Sequence, residues 1–246
     1  MEILREAAAA VHAALGGLSD WGPAGTKPGQ YRSDLAADEA ALAVFAAAGI
    51  AVLSEESGRT GTAGPGILLA VVDPVDGSTN ASRGIPWFAT SICLVDDAGP
   101  LAALVVNQAS GVSYEAIRGK GATRDGQMIK PRGETALSNA IVGLAGYPPR
   151  HLGWRQYRAL GAAALDLCAV ADGTLDAYAD CGPDGHGVWD YLGGLLVCHE
   201  AGAFMADAAG RDLLVLEHAE RRAPVAAATA HLLDALIASR RAAFEK

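Results

Sequence analysis

Long apolar runs, clustered basic residues and paired cysteines are all scarce in this 246-residue chain. No apolar stretch approaches the length that crosses a bilayer. The opening MEILREAAAAVHAAL has neither the basic start nor the apolar block of a secretory leader, so a cytoplasmic location is expected. There are 19 Lys and Arg residues against 28 Asp and Glu, a formal charge of −9, and no basic stripe. Those figures exclude a nucleic-acid polymer as the main partner. The four cysteines, Cys93, Cys168, Cys181 and Cys198, show no C-x-x-C spacing. They read as reduced, mostly buried thiols rather than a disulfide framework.

What is present is small and apolar. Hydrophobic residues make up 51 % and charged residues 19 %, enough for a sizeable core and too apolar for disorder. An acidic protein that handles an anionic substrate needs a cation to do so, and the acidic motifs below bear on that point.

Helical periodicity runs from residue 2 to about 16 and ends at Gly16-Gly17. A Gly- and Pro-rich stretch, 18–33, predicts a mobile loop, and a second helix is expected from Asp34 to about Ala48. Short apolar runs then predict strands at 50–53, 67–72, 88–95, 101–107 and 112–117, with a Gly-rich hairpin over 119–129. Asp96-Asp97-Ala98-Gly99 suits a hairpin turn. After Pro131 strands and helices alternate: strands at 141–144, 175–179, 203–205 and 225–228, helices at 162–171, 190–201 and 231–243. The expected division is an α+β part over 1–135, mainly antiparallel, and an α/β part over 136–246 with a mixed or parallel sheet. A ligand cleft between them is the default expectation.

Three acidic clusters stand where strands end or helices begin. They are Ser54-Glu55-Glu56-Ser57, then Asp73-Pro74-Val75-Asp76-Gly77-Ser78-Thr79-Asn80, then Trp189-Asp190. In the middle cluster Pro74 bars a helix and holds Asp73 extended. Asp73 and Asp76 can then face one place with the Val75 carbonyl between them, a hard oxygen-only set suited to Mg²⁺. Gly77-Ser78 resembles a helix start with free N–H groups, which favours phosphate. Taken singly, each cluster has a plainer meaning: an Asx turn, a solvated strand end, a helix cap.

In this order the three resemble the signature motifs of the inositol monophosphatase-like family, which also includes bisphosphatases. The resemblance extends through Leu165-Asp166-Leu167, Gly173-x-x-Asp176-Ala177-Tyr178 and Glu200-Ala201-Gly202. It implies a layered αβαβα sandwich of mixed α+β and α/β character, commonly dimeric. It also implies Mg²⁺ as cofactor, two or three ions, and a small phosphate ester as substrate. Carried over, Glu55, Asp73 and the Val75 carbonyl would hold the ion that activates the attacking water. Asp73, Asp76 and Asp190 would hold a second, and the N–H groups of Gly77 and Ser78 would bind phosphate oxygens.

Some positions depart from the family pattern. Gln30-Tyr31-Arg32-Ser33-Asp34 keeps the family's acid but lacks its Thr. Asp34 is preferred over Asp38 as the residue that orients the water, with the Ser78 hydroxyl passing a proton toward it. Asp34 as a helix cap is the structural alternative. Lys27 and Arg32 either touch phosphate or are solvated loop charges. Ala163 and Asp180 would meet the leaving group, where Asp180 is a shorter acid than the family's usual Glu and Gly182-Pro183-Asp184-Gly185 is inserted. His186 and His199 have no partner at metal spacing and are expected in surface or core roles.

Three functions follow in order. The first is a Mg²⁺-dependent phosphatase of small polyol or sugar phosphates, inositol monophosphate foremost. The second is a bisphosphatase for fructose 1,6-bisphosphate or 3′-phosphoadenosine 5′-phosphate. The third is a non-catalytic metal- or phosphate-binding protein.

Overall fold

A computed structural model describes residues 1–27, 29–62, 64 and 66–245 of the chain. Two helices open it, α1 (Glu2–Gly16) and α2 (Arg32–Ala47). The first buries Leu4, Ala7, Ala8, Val11 and Leu15 along one stripe, as its periodicity requires.

An eight-stranded sheet follows, built from β1 (Ala51–Ser54), β2 (Gly58–Thr60), β3 (Leu69–Asp76), β4 (Ala89–Asp96), β5 (Gly99–Asn107), β6 (Ser113–Ile117), β7 (Gly121–Arg124) and β8 (Gln127–Met128). Its order is β2-β1-β3-β4-β5-β6-β7-β8, antiparallel throughout except for the parallel β1–β3 pair. A single-turn helix, α3 (Ser78–Ser82), interrupts the sheet after β3.

The second sheet has five strands: β9 (Ile141–Ala145), β10 (Gln156–Arg158), β11 (Ala177–Asp180), β12 (Phe204–Asp207) and β13 (Pro224–Ala227). Its order is β10-β9-β11-β13-β12, parallel on the β10 side and antiparallel on the β12 side, hence the mixed sheet expected. Its helices are α4 (Ala163–Ala171), α5 (Val188–Ala201) and α6 (Ala230–Phe244).

Because side chains alternate along a strand, each sheet has two apolar faces, and both are covered. In the first sheet Val52, Ala70, Val72, Ile92 and Leu104 pack under α1 and α2. The opposite face, with Leu53, Val71, Cys93 and Val105, meets α4 and α5, which also cover Tyr178 and Ala226 of the second sheet. The outer face of that sheet, Val142, Leu144, Ala179 and Val225, packs on Leu232, Leu233 and Leu236 of α6. The layers therefore run α, β, α, β, α, the sandwich that the family resemblance implies.

Differences from the sequence expectation are local. Helix α2 starts at Arg32 rather than Asp34, with Tyr31 as its N-cap. Strand β3 continues beyond Val72 to Asp76 by means of a register shift between Asp73 and Asp76. Pro74, which has no N–H to give a ladder, lies at that irregularity. Strands β2 and β10 were not expected, and each is a three-residue edge strand with no buried residue to reveal it. All four cysteines are buried and free. Among the described residues, no helix is long and apolar enough to cross a membrane.

Candidate active site

The parallel β1–β3 pairing sets Ser54 beside Val72. The Glu55 N–H then donates to the Val72 carbonyl, so Glu55 and Asp73 leave neighbouring strands side by side. Helix α5 approaches from the other face. Its N-cap is Gly187, and Asp190 in its first turn accepts the Gly187 N–H through Oδ2 at 2.7 Å. Glu55, Asp73 and Asp190 thereby bring one carboxylate oxygen each within 4.8 Å of one another.

Asp76 stands at the edge of this group. Its two oxygens accept the N–H groups of Ala163 (3.1 Å) and Ala164 (2.7 Å), the first turn of α4. The register shift turns it there, while Asp73 Oδ1 accepts the Val75 N–H at 3.0 Å. Gly77 follows with φ +85°, and a Cβ there would lie 3.0 Å from the Gly161 carbonyl oxygen and 3.1 Å from that of Trp87. Only glycine fits the turn that sends the chain from β3 into Ser78.

Burial and like charge act together on these acids. Burial first, then the charges of Asp190, Glu56, Asp34 and Asp76, push the Glu55 carboxyl far above the usual range. Asp73 is pushed up by burial, then by Glu55, Asp76 and Asp190. Asp76 is also raised, chiefly by burial, although the N–H groups of Ala164 and Ala163 and the His186 ring pull the other way.

A cleft of about 370 Å³ opens beside Glu55, lined also by Asp34, Glu56, Ser78, Trp189, His218 and Arg221, whereas Asp73, Asp76 and Asp190 lie outside its lining. Asp34 is buried there, accepting the Tyr31 N–H at 2.8 Å, and burial is the main cause that raises its carboxyl to about 6. It thus serves the start of α2 and faces the cleft at once. Asp38 is buried and engaged by the Ser54 hydroxyl, outside the cleft lining. Lys27 lines the cleft and donates to the Glu56 carbonyl at 2.9 Å, whereas Arg32 is held by Asp20 at 2.6 Å.

Neither Ala163 nor Asp180 belongs to the cleft lining, and both are buried. Asp180 Oδ1 accepts the Gly182 N–H at 2.8 Å, and its Oδ2 is buried with no partner among the described residues.

Three residues by the cluster carried no expectation of a role there. His186, expected in a surface or core role, has Nδ1 3.2 Å from Asp190 Oδ2 and Nε2 3.0 Å from the Tyr178 hydroxyl. Its i,i+4 spacing to Asp190 was the available signal, hidden because it falls on an insertion outside the helix. His218 places Nε2 3.0 Å from the Glu55 carbonyl and stacks 4.6 Å from the Trp189 ring. The Arg221 guanidinium lies 5.1 Å over the same ring. No local pattern announces the last two, since 163 residues separate His218 from Glu55. His199 is exposed, as expected for a surface role.

The sequence model of the inositol monophosphatase family matches residues 32–244. A fructose-1,6-bisphosphatase/inositol-1-monophosphatase from Archaeoglobus fulgidus is 33 % identical over 74 % of this chain and 71 % of its own length. An inositol-1-monophosphatase from Mesorhizobium japonicum is 35 % identical over 58 % of this chain, and the chain spans 59 % of that relative's length. Among solved structures, a protein from Pyrococcus horikoshii with similarities to inositol-1 monophosphatase superposes with a TM-score of 0.83 at 27 % identity. That match covers 100 % of this chain and 96 % of the other. The layered fold, the carboxylate cluster and these relatives define a metal-dependent hydrolase of phosphate monoesters. Within that class, the chain belongs to the inositol monophosphatase family.

Proposed function

We propose that this chain is a Mg²⁺-dependent phosphomonoesterase of small polyol or sugar phosphates, with inositol monophosphate the leading substrate. One observation carries the reading: carboxylate oxygens of Glu55, Asp73 and Asp190 meet within 4.8 Å beside the turn that opens with Gly77 and Ser78. Carboxylates crowded this closely repel one another and are matched by a divalent cation, and a donor set of oxygens alone suits Mg²⁺. In this reading Glu55, Asp73 and the Val75 carbonyl hold one ion, and Asp73, Asp76 and Asp190 a second, with two or three in all. When bound, Mg²⁺ supplies Lewis-acid polarisation of the phosphoryl group and acidifies a water.

The chain's own residues do the positioning. The N–H groups of Gly77 and Ser78 receive phosphate oxygens. Asp34 orients the attacking water and takes its proton through the Ser78 hydroxyl; it is preferred to Asp38 because it lines the cleft and its carboxyl is held at about 6. Ala163 and Asp180 would meet the leaving group, as the family resemblance implies; both are buried and outside the cleft lining, so that contact requires the wall of the cleft to open. A cytoplasmic homodimer, each chain divided into sub-domains near residue 135, completes the reading; the free buried thiols support the reducing compartment.

A second reading, the bisphosphatase, gains support from Lys27, His218 and Arg221, which bring basic groups to the same cleft. The Archaeoglobus fulgidus relative is named for both activities. Phosphate release from inositol 1-phosphate, fructose 1,6-bisphosphate and 3′-phosphoadenosine 5′-phosphate, with and without Mg²⁺, tests both. Mg²⁺-dependent release fastest from inositol 1-phosphate is expected. Preference for a bisphosphate favours the second reading, and silence across the series contradicts both.

A further inference from the structure

His186 has two engaged ring nitrogens, and together they say which way it works. Asp190 Oδ2, 3.2 Å from Nδ1, is an acceptor when ionised, so Nδ1 carries the hydrogen. The Tyr178 hydroxyl, 3.0 Å from Nε2, accepts from the protonated ring and donates to the neutral one, so it partners His186 in either state. Tyr178 is fully buried in the second sheet and gives the ring a fixed backstop.

The backbone holds His186 as firmly. Its N–H donates to the Arg222 carbonyl at 2.7 Å, and the Arg222 N–H returns to the His186 carbonyl at 2.9 Å. Gly185, at φ +69°, lets the chain pass so close that a Cβ would sit 2.7 Å from the Arg222 oxygen. The inserted segment before α5 therefore ends in a pinned histidine.

We infer that His186 is a positioning residue for the cation site: backed by Tyr178, it fixes the rotamer of Asp190. Asp190 Oδ2 is occupied by the Gly187 N–H and by His186, which aims Oδ1 as the oxygen free to serve as ligand. The inference rests on the reading that Asp190 helps hold Mg²⁺.

Calorimetric titration of the metal-free protein with Mg²⁺ and Mn²⁺ tests it. His186→Ala is expected to weaken ion binding about 10- to 100-fold. His186→Asn, which can keep an N–H near the Nδ1 position, should recover most of that loss. Tyr178→Phe, which keeps the buried ring but removes the hydroxyl, should weaken binding by a smaller factor. Far-ultraviolet circular dichroism and melting of each metal-free variant separate misplacement from unfolding. The saturating Mg²⁺ needed for turnover should rise in His186→Ala. If His186→Ala binds ions as tightly as the parent while Asp73→Asn does not, the inference is overturned and the cation reading stands. A loss equal in His186→Ala and His186→Asn also overturns it. A parent that takes up no ion overturns both.

Discussion

Asp76 accepts the Ala164 N–H at 2.7 Å across 88 positions of sequence, tying the end of β3 to the first turn of α4. The same carboxylate is raised by burial and by the charge of Asp190, so it is shared between a helix start and the acidic cluster. Replacing Asp76 by Asn keeps one oxygen for α4 and removes the charge. Turnover should fall by about 10³-fold, whereas unfolding free energy should fall by only about 1 kcal/mol. Phosphate release and a urea titration check the two halves. Turnover near the parent's rate removes Asp76 from the chemistry.

The acids of the cluster make the metal-free protein sensitive to base. Glu55, Asp73 and Asp76 have folded-state values raised above the unfolded ones. Between the two values the native state holds protons that the unfolded chain has lost, so stability falls as pH rises. His186 acts in the same direction. Burial lowers it, but Asp190, Asp180 and Asp76 outweigh burial and hold it at about 9, so its contribution is lost as pH climbs from 6.5 to 9. Melting of the metal-free protein should therefore drop between pH 6 and pH 9. Added Mg²⁺ should raise the melting temperature most at the upper end. A flat profile with no Mg²⁺ effect would contradict the cluster's role.

Away from the cleft, Asp207 should behave in the opposite sense. Burial tends to raise it, but Arg211, the Ala223 N–H and the Arg211 N–H outweigh that and bring it to about 2. Arg211 Nε lies 2.8 Å from Oδ2 and the Ala223 N–H donates to Oδ1 at 2.8 Å. Its stabilisation is present above the ordinary carboxyl value and is lost as pH falls toward 2. Asp207→Asn should cost about 2 kcal/mol at pH 7 and about half that at pH 3. Equal losses at both, from urea titration, would show that hydrogen-bond geometry rather than charge dominates.

Arg221 bears on substrate size. It is exposed at the cleft and stacked on Trp189. If a second anionic group of the substrate reaches it, Arg221→Ala should raise KM for fructose 1,6-bisphosphate about fivefold, an energy of about 1 kcal/mol. KM for inositol 1-phosphate should move less than about twofold. Equal changes for both substrates would remove Arg221 from the recognition of a second anion.

The sequence carried most of the architecture because the buried strands are written as unbroken apolar runs. Leu69-Ala70-Val71-Val72 is buried throughout, as is Ala51-Val52-Leu53, and both were legible. Gln156–Arg158 was not, because an exposed three-residue edge strand has no inside face to pattern. The three carboxylates that meet were legible through local motifs, each at an element's end. The split of Asp73 from Asp76 was not, since it depends on the β3 register shift and on α4 arriving from far along the chain. His218 and Arg221 were invisible for the same reason: an otherwise irregular segment, 213–222, brings them to Trp189 only once both sheets are stacked.

Crystals soaked with Mn²⁺, a scatterer that replaces Mg²⁺ on oxygen ligands, test the central claim most directly. Anomalous difference maps should show a peak bounded by Glu55, Asp73 and Asp190, and the peak should vanish in Asp73→Asn. Peaks confined to surface acids, with none among these three carboxylates, would contradict it.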